Sequence, residues 1–287
     1  MKNKLYFLFS ILMLTVSGSL RADSRSLQRY ELKVGDFSQL SVVDGINVEY
    51  RCSEDSAGLA VFETTKAIAD QLIFDTSKEG RLSIEKQFHN EGQLVFGLPV
   101  VKVYSRFLTQ AKNSGDSTLY VASVAPCPEF KAVTIGNGRV VIHNISCAKF
   151  DGAIKTGNGQ LVVNGKCDSA VLSNTGVGSI QADGLEAGTV SCRFFGTGTT
   201  GIWVTDTLII KGMFPGKLYY HGKPKKIKNY SMGVKIYPMD DWMKEKQTEK
   251  PAAEAPAEVT EHPEADSADR ETVSHGAEDP AQDNVEP

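Results

Sequence analysis

Ile135-Gly136-Asn137-Gly138-Arg139-Val140-Val141-Ile142 is followed 21 residues later by Thr156-Gly157-Asn158-Gly159-Gln160-Leu161-Val162-Val163, and this pair decides the fold. Each stretch is a glycine turn that runs into a short apolar strand. The same unit recurs at Ser114-Gly115-Asp116-Ser117, Thr175-Gly176-Val177-Gly178 and Phe195-Gly196-Thr197-Gly198. The first glycines of the five turns lie 21, 21, 19 and 20 residues apart. A period this short, made of strands and turns with no helical pattern, predicts stacked coils of parallel sheet. The strands keep the register: Leu119-Tyr120-Val121, then Val140, Leu161, Ile180 and Ile202-Trp203-Val204, with a shorter last coil at Leu218-Tyr219-Tyr220. A second strand recurs in each coil, at 130–133, 150–154, 170–172, 189–192 and 208–210.

Three cysteines fall into the same period. Cys127, Cys147 and Cys167 stand 20 residues apart. Stacked at the neighbouring-strand spacing of about 4.8 Å, they form an inward ladder. Each lies three residues before a second strand, and at the corresponding points the next coils have Glu186 and Thr205, which ends the ladder. With Cys52 and Cys192 the chain has five cysteines, an odd number. Buried thiols acting as small apolar residues are favoured over a bridge, because side-chain directions in a parallel stack need not suit a disulfide. No CxxC pair or histidine partner accompanies them, so no metal site is expected.

The ends of the chain differ from its middle. Lys2 and Lys4 precede an apolar run from Leu5 to Val16, followed by Ser17-Gly18-Ser19-Leu20-Arg21-Ala22. This order is that of a secretory signal peptide over residues 1–22, too short to span a bilayer. No later segment reads as a transmembrane span. Residues 251–287 contain five prolines, eleven acidic residues, one arginine and no aromatic residue. Such a segment buries too little apolar surface to offset its ordering entropy, and a disordered acidic tail is expected. The tail holds eleven of the 35 acidic residues and one of the 31 basic ones, so the remainder is net positive although the chain totals −4.

Between the signal and the repeats, residues 23 to about 110 read as strands of another kind. Phe37 to Val42, Asp44 to Tyr50, Leu59 to Phe62, Arg81 to Glu85 and Val100 to Tyr104 are alternating or apolar runs, with one helical turn near Ala67 to Leu72. This part is expected to cap the open N-terminal end of the stack over about 23–110. The coils then run from about 111 to 222, in one domain spanning 23–250.

Several motifs in this order resemble a known family. Asp36-Phe37, Val42-Val43-Asp44-Gly45-Ile46-Asn47-Val48, Gly80-Arg81-Leu82-Ser83-Ile84, Val100 to Tyr104, Ser114-Gly115-Asp116 and the Gly-x-Gly coils are similar to the auto-transporter adhesin head domain called GIN. Gly45-Ile46-Asn47 spells its name. The resemblance covers about residues 36–222. It implies an all-β, right-handed parallel β-helix-like coil stack, export in Bacteroidetes-type bacteria, and an adhesive or surface role. The family has no agreed catalytic site, so no catalytic residue or cofactor is carried over. The acidic tail and the cysteine ladder depart from the family pattern.

Other motifs yield to their position in the repeat. Gly115-Asp116-Ser117-Thr118-Leu119 resembles a serine-esterase nucleophile block, yet no histidine has an aspartate three residues before it, and the block is one of five equivalent turns. Gly196, Gly198 and Gly201 match a dinucleotide fingerprint, but a strand follows them where that motif needs a helix. Asp116, Asn137 and Asn158 share one turn position, which favours turn chemistry over a cation or sugar stripe. Trp203, Trp242, Phe194 and Phe195 read as core or cap residues before sugar platforms.

Lys223, Lys225, Lys226 and Lys228, flanked by Tyr219 and Tyr220, are the candidate ligand-binding residues. They form a basic patch for anionic glycans or another acidic surface. Lysines there also keep an exposed sheet end from stacking on another chain.

The sequence therefore points to an exported, non-enzymatic, adhesin-like module of the cell surface or periplasm, whose partner is a glycan or an envelope protein. Nucleic acid does not fit an exported chain. A polysaccharide-active β-helix enzyme is the competing reading, but no coil-periodic carboxylate cluster supports it. A structural part of an envelope assembly, such as a homo-oligomer formed through sheet faces, is the third. Deleting residues 251–287 is expected to leave a cooperative thermal melt at an unchanged midpoint; loss of cooperativity in calorimetry would show that the tail is needed to fold.

Overall fold

The computed structural model describes residues 26–87 and 97–239. The expected signal peptide over 1–22 and the expected disordered tail over 251–287 lie outside the described residues, as does Trp242.

The strands in chain order are β1 (Gln28–Lys33), β2 (Gln39–Val42), β3 (Val48–Cys52), β4 (Leu59–Thr64), β5 (Leu72–Thr76), β6 (Arg81–Lys86), β7 (Val101–Ser105), β8 (Gln110–Asn113) and β9 (Thr118–Val121). They continue with β10 (Cys127–Thr134), β11 (Arg139–Ile154), β12 (Gln160–Asn174), β13 (Ser179–Phe194), β14 (Thr199–Gly212), β15 (Lys217–His221), β16 (Lys226–Ser231) and β17 (Lys235–Pro238). One short helix, α1 (Lys66–Ala69), precedes β5. From β8 onward every pairing is parallel, each coil upon the one before, and the result is a β-solenoid.

Each full coil contributes to two rows of strands. The first row contains β9, the opening halves of β11 to β14, then β15 and β17. The second contains β8, β10, the closing halves of β11 to β14, and β16. The halves meet at a corner where the pairing register shifts, as between Ile142 and Ile145 in β11. Alternation along each strand sends every second side chain inward. Leu119, Val140, Leu161, Ile180 and Leu218 form one such column, all at most 1% exposed. Phe130 and Phe150 stack in another, ring centroids 6.4 Å apart. Burial of each of these side chains stabilises the fold by about 1.5–3 kcal/mol.

The glycine turns are demanded by the approach of successive coils. Gly138 donates its backbone N–H to the Gly115 carbonyl at 2.8 Å, Ser179 to Gly159 at 3.1 Å and Thr199 to Gly178 at 3.2 Å. A Cβ on Gly138 would lie 2.5 Å from the Gly115 oxygen, and one on Gly178 would press harder still on the Gly159 oxygen. Gly157 is needed twice over, since its φ is +79° and a Cβ there would meet the Gly136 carbonyl. Two buried asparagines brace the same turns from inside. Asn113 donates to the Ser117 and Arg139 carbonyls at 2.7 and 3.1 Å, and Asn174 to the Gly178 carbonyl at 2.9 Å. The exposed Asn137 accepts from the Asn158 N–H at 3.1 Å, so this turn position serves the stack itself.

The parallel stack reaches beyond the expected coil limits at both ends. β2 and β3 pair in parallel with β8 and β9, and β6 and β7 pair in parallel with β2 and β3. These four strands, expected within a cap over 23–110, are coils. The chain lays down β2 and β3, passes outward to β6 and β7, then returns to place β8 and β9 on the opposite side. Antiparallel cover is confined to β5 on β6, β4 on β7 and β1 on β4. At the other end β16 and β17 extend the stack past residue 222.

The Gly45-Ile46-Asn47 triplet lies at the join. Asp44 and Gly45 have φ of +62° and +77°, a backbone pair suited to a tight turn between strands. A Cβ on Gly115 in the adjoining coil would lie 2.9 Å from the Gly45 nitrogen. Ile46 is fully buried. Asn47 accepts from Thr118 N–H through its side chain and from Val101 N–H through its carbonyl, tying the coils on either side.

Cys127, Cys147 and Cys167 do stack in register. The next rungs are Ala187 and Val204, not Glu186 and Thr205: Thr189 pairs with Ser169 and so lies one residue before the counterpart of Ala170, and β14 carries an extra residue between Val204 and Thr207. All five cysteines are free. A thiol–thiol hydrogen bond to Cys167, together with burial, raises the pKa of Cys147. Burial alone pushes Cys192 up to about 12.

Gly178→Ala is expected to destabilise the protein by about 1–3 kcal/mol through overpacking, whereas Gly201→Ala, whose nearest neighbour would be 3.6 Å away, leaves the midpoint unchanged or raised. Equal melts for the two variants would overturn the close-approach account. Alkylation of the native protein at mildly alkaline pH should modify the partly exposed Cys52 and Cys127 and spare Cys147, Cys167 and Cys192. Mass spectrometry showing Cys192 labelled as fast as Cys52 would contradict its burial.

Candidate functional site

Outward side chains stack in columns as the inward ones do. On the first row one column runs Tyr120, Val141, Val162, Gln181, Gly201, Tyr219, Tyr237. Tyr219 and Tyr237 stack, with ring centroids 5.0 Å apart and planes at 20°. Two residues along, Trp203 packs on His221 at 4.8 Å. At the far end Tyr120 lies against His143 at 5.1 Å, whose Nδ1 is 3.1 Å from the Asn164 amide nitrogen.

Gly201 gives this face its relief. It has no side chain where its column neighbours are Gln181 and Tyr219, so it forms the floor of a notch. The Asp183 carboxylate stands beside it, 3.6 Å from where a Cβ would be. Trp203 follows at the next outward position of β14. Gln181 and Asp183 are exposed and Trp203 is partly buried. The notch thus combines aromatic faces with an amide and a carboxylate. That set suits a sugar, whose ring presents C–H groups to an aromatic face and hydroxyls to hydrogen-bonding side chains.

The candidate lysines and tyrosines do not come together. Tyr219 points outward on the first row, while Tyr220 pairs with the buried Ile202 and packs on the core. Lys226 and Lys228 belong to β16, in the second row, paired with Thr207 and Ile209. Lys223 is exposed in the intervening turn. Lys225 bonds to Asp206, Nζ to Oδ1, at 3.1 Å. This bond, with a second from Thr207, holds the Asp206 carboxyl below its ordinary range. A strand direction and a turn therefore separate residues that are close in sequence. Trp203 and Phe195, expected in core or cap, lie at the surface, Phe195 being 52% exposed; Phe194 is core. Alternation around Gly201 was the one signal that could have placed Trp203 outward.

A depression of about 400 Å³ lies outside β1, β4 and β7. Arg29 and Lys102 oppose Glu63 in its lining, so it does not select ligands of one charge. Among the described residues no group of three or more His, Cys, Asp or Glu side chains is placed to hold a metal. No helix there is long and apolar enough to cross a membrane.

Solved structures share the fold. A crystal structure described as a putative adhesin from Bacteroides fragilis aligns with a TM-score of 0.63 at 18% identity, over 74% of this chain and 96% of its own. One described as a putative lipid binding protein from Parabacteroides distasonis gives 0.58 at 18%, over 74% and 97%. Another putative adhesin, from Parabacteroides merdae, gives 0.54 at 20%, over 74% and 96%. A search among curated proteins finds none that matches this sequence. The family profile described as "Putative auto-transporter adhesin, head GIN domain" matches residues 36–224, and the chain belongs to that family.

Proposed function

We propose that the protein is an exported, non-enzymatic, adhesin-like module that binds glycan on the outer face of its first strand row, at the notch over Gly201. The carrying observation is the set of Trp203, Tyr219, Gln181 and Asp183 around a glycine that leaves space between them. Trp203 and Tyr219 are each backed by a second ring, His221 and Tyr237, which limits their motion. A platform held in place before binding loses less entropy when a ligand lands. The outward column continues through Gln181, Val162 and Val141 to Tyr120, so an extended sugar chain can lie along one face with an aromatic ring at each end. The n-, h- and c-regions over residues 1–22 support export, and the adhesin family supports a position at the cell surface or periplasm.

The chain from residue 23 onward should retain one or more members of a broad panel of bacterial and host glycans. Trp203→Ala and Gly201→Val are each expected to weaken retention about tenfold, as loss of an aromatic anchor at a binding centre does. Gly201→Val fills the notch without meeting backbone, so its melting midpoint should match that of the parent. Failure of the parent chain to bind any glycan in the panel sinks the reading.

A further inference from the structure

One edge of the solenoid changes character along its length. The position where the second row enters each turn is Ser114, Ile135, Lys155 and Thr175 in the earlier coils, and Phe195, Met213 and Met232 in the last three. The backbone bonds from Phe195 to Asn174 and from Met232 to Gly212 fix this register. Phe195, Met213 and Met232 are 52%, 75% and 73% exposed, and the adjoining Phe214 is 46% exposed. Four large apolar side chains thus stand bare in a row at successive turn tips. Isolated exposed apolar residues need no explanation, but a contiguous set marks an interaction surface.

The flanks of this ridge are basic. Two residues before its members, on the outer face of the second row, come Arg193, Lys211 and Tyr230. Across the turn, at the start of the first-row strands, lie Lys217 and Lys235, paired in register. No acidic residue occupies these flanking positions in the last three coils. Tyr230 is 65% exposed. An apolar centre, basic sides and an exposed tyrosine match the layers of a bilayer surface: acyl chains, anionic headgroups and the interfacial zone between them. The ridge is made of turn tips, hence convex. A bilayer yields around a convex wedge, whereas a protein partner needs a matching groove.

We infer that the turn edge carrying Phe195, Met213, Phe214 and Met232 docks on the surface of an anionic phospholipid bilayer, with Arg193, Lys211, Lys217 and Lys235 on the headgroups. This surface is separate from the glycan notch and does not depend on it.

Co-flotation tests it with the chain from residue 23 onward, which retains every described residue and lacks the apolar leader. Vesicles of phosphatidylcholine and phosphatidylglycerol in equal parts should carry the protein upward, and vesicles of phosphatidylcholine alone should not. Replacing Met213, Phe214 and Met232 by serine should lower the bound fraction about tenfold or more. Lys217→Glu with Lys235→Glu should do the same while leaving the apolar residues in place, and added salt should weaken the parent. All five positions are exposed, so unchanged melting midpoints and glycan retention confirm that the fold and notch persist. The proposal is overturned if the parent does not float with the mixed vesicles, or if either variant floats as it does. Self-association in sedimentation that the serine variant abolishes, without flotation of the parent, would assign the ridge to a second copy of the chain.

Discussion

The contact on which the structure depends is the meeting of backbone with backbone at the glycine turns. An N–H of one coil donates to a glycine carbonyl of the coil before, at 2.8 to 3.2 Å for the bonds from Gly138, Ser179 and Thr199. Coils that come this close leave no volume for a Cβ over those carbonyls. Parallel strands would stack at similar spacing without the turns, but the turns hold each coil at one angular setting. Once that is fixed, every position in a coil lies over its counterpart, and columns of like environment follow. The apolar interior is therefore a consequence of the turn geometry as much as its partner in stabilising the fold.

The same constraint explains where function can reside. Inward columns are committed to packing, and the turn glycines to close approach. Outward columns and turn tips are not so bound. Gly201 shows the difference clearly, because it lies in a strand, its backbone is not left-handed and a Cβ would meet only the side of Asp183. Packing does not demand glycine there. The space it leaves between Gln181 and Tyr219 is what distinguishes it from the turn glycines.

The coil strands and turns were legible in the sequence because glycine spacing and apolar alternation report directly on stacking. The coils formed by β2, β3, β6 and β7 were not, since they lack the Gly-x-Gly turn and are laid down out of spatial order. Alternation marks a strand without saying whether its neighbour runs parallel. The candidate lysines and tyrosines are split between two rows for a related reason. Tyr219 and Tyr220 are adjacent in sequence and so face opposite sides of their strand, and the lysines follow a turn into the other row. Strand starts were a poor guide to the rungs after Cys167: Thr189 is the counterpart of Ser169 and not of Ala170, and an extra residue in β14 between Val204 and Thr207 moves the following rung by one.

Notch and ridge lie on the same coils, and one can be occupied without covering the other. Lys217 and Lys235 sit two residues before Tyr219 and Tyr237 on the same strands, between the turn edge and the outer face of the first row. The ridge runs from coil to coil, along the direction in which strands stack. Docking through it would lay that direction parallel to a bilayer and turn the first-row face sideways, with Lys217 and Lys235 at headgroup level and Gly201 clear of the lipid. A charged pair at that boundary limits how deeply the edge can sink, since burying their ammonium groups among acyl chains is costly while their stems can lie along apolar surface. Insertion would stop at the turn tips, and the aromatic face would stay open to a glycan.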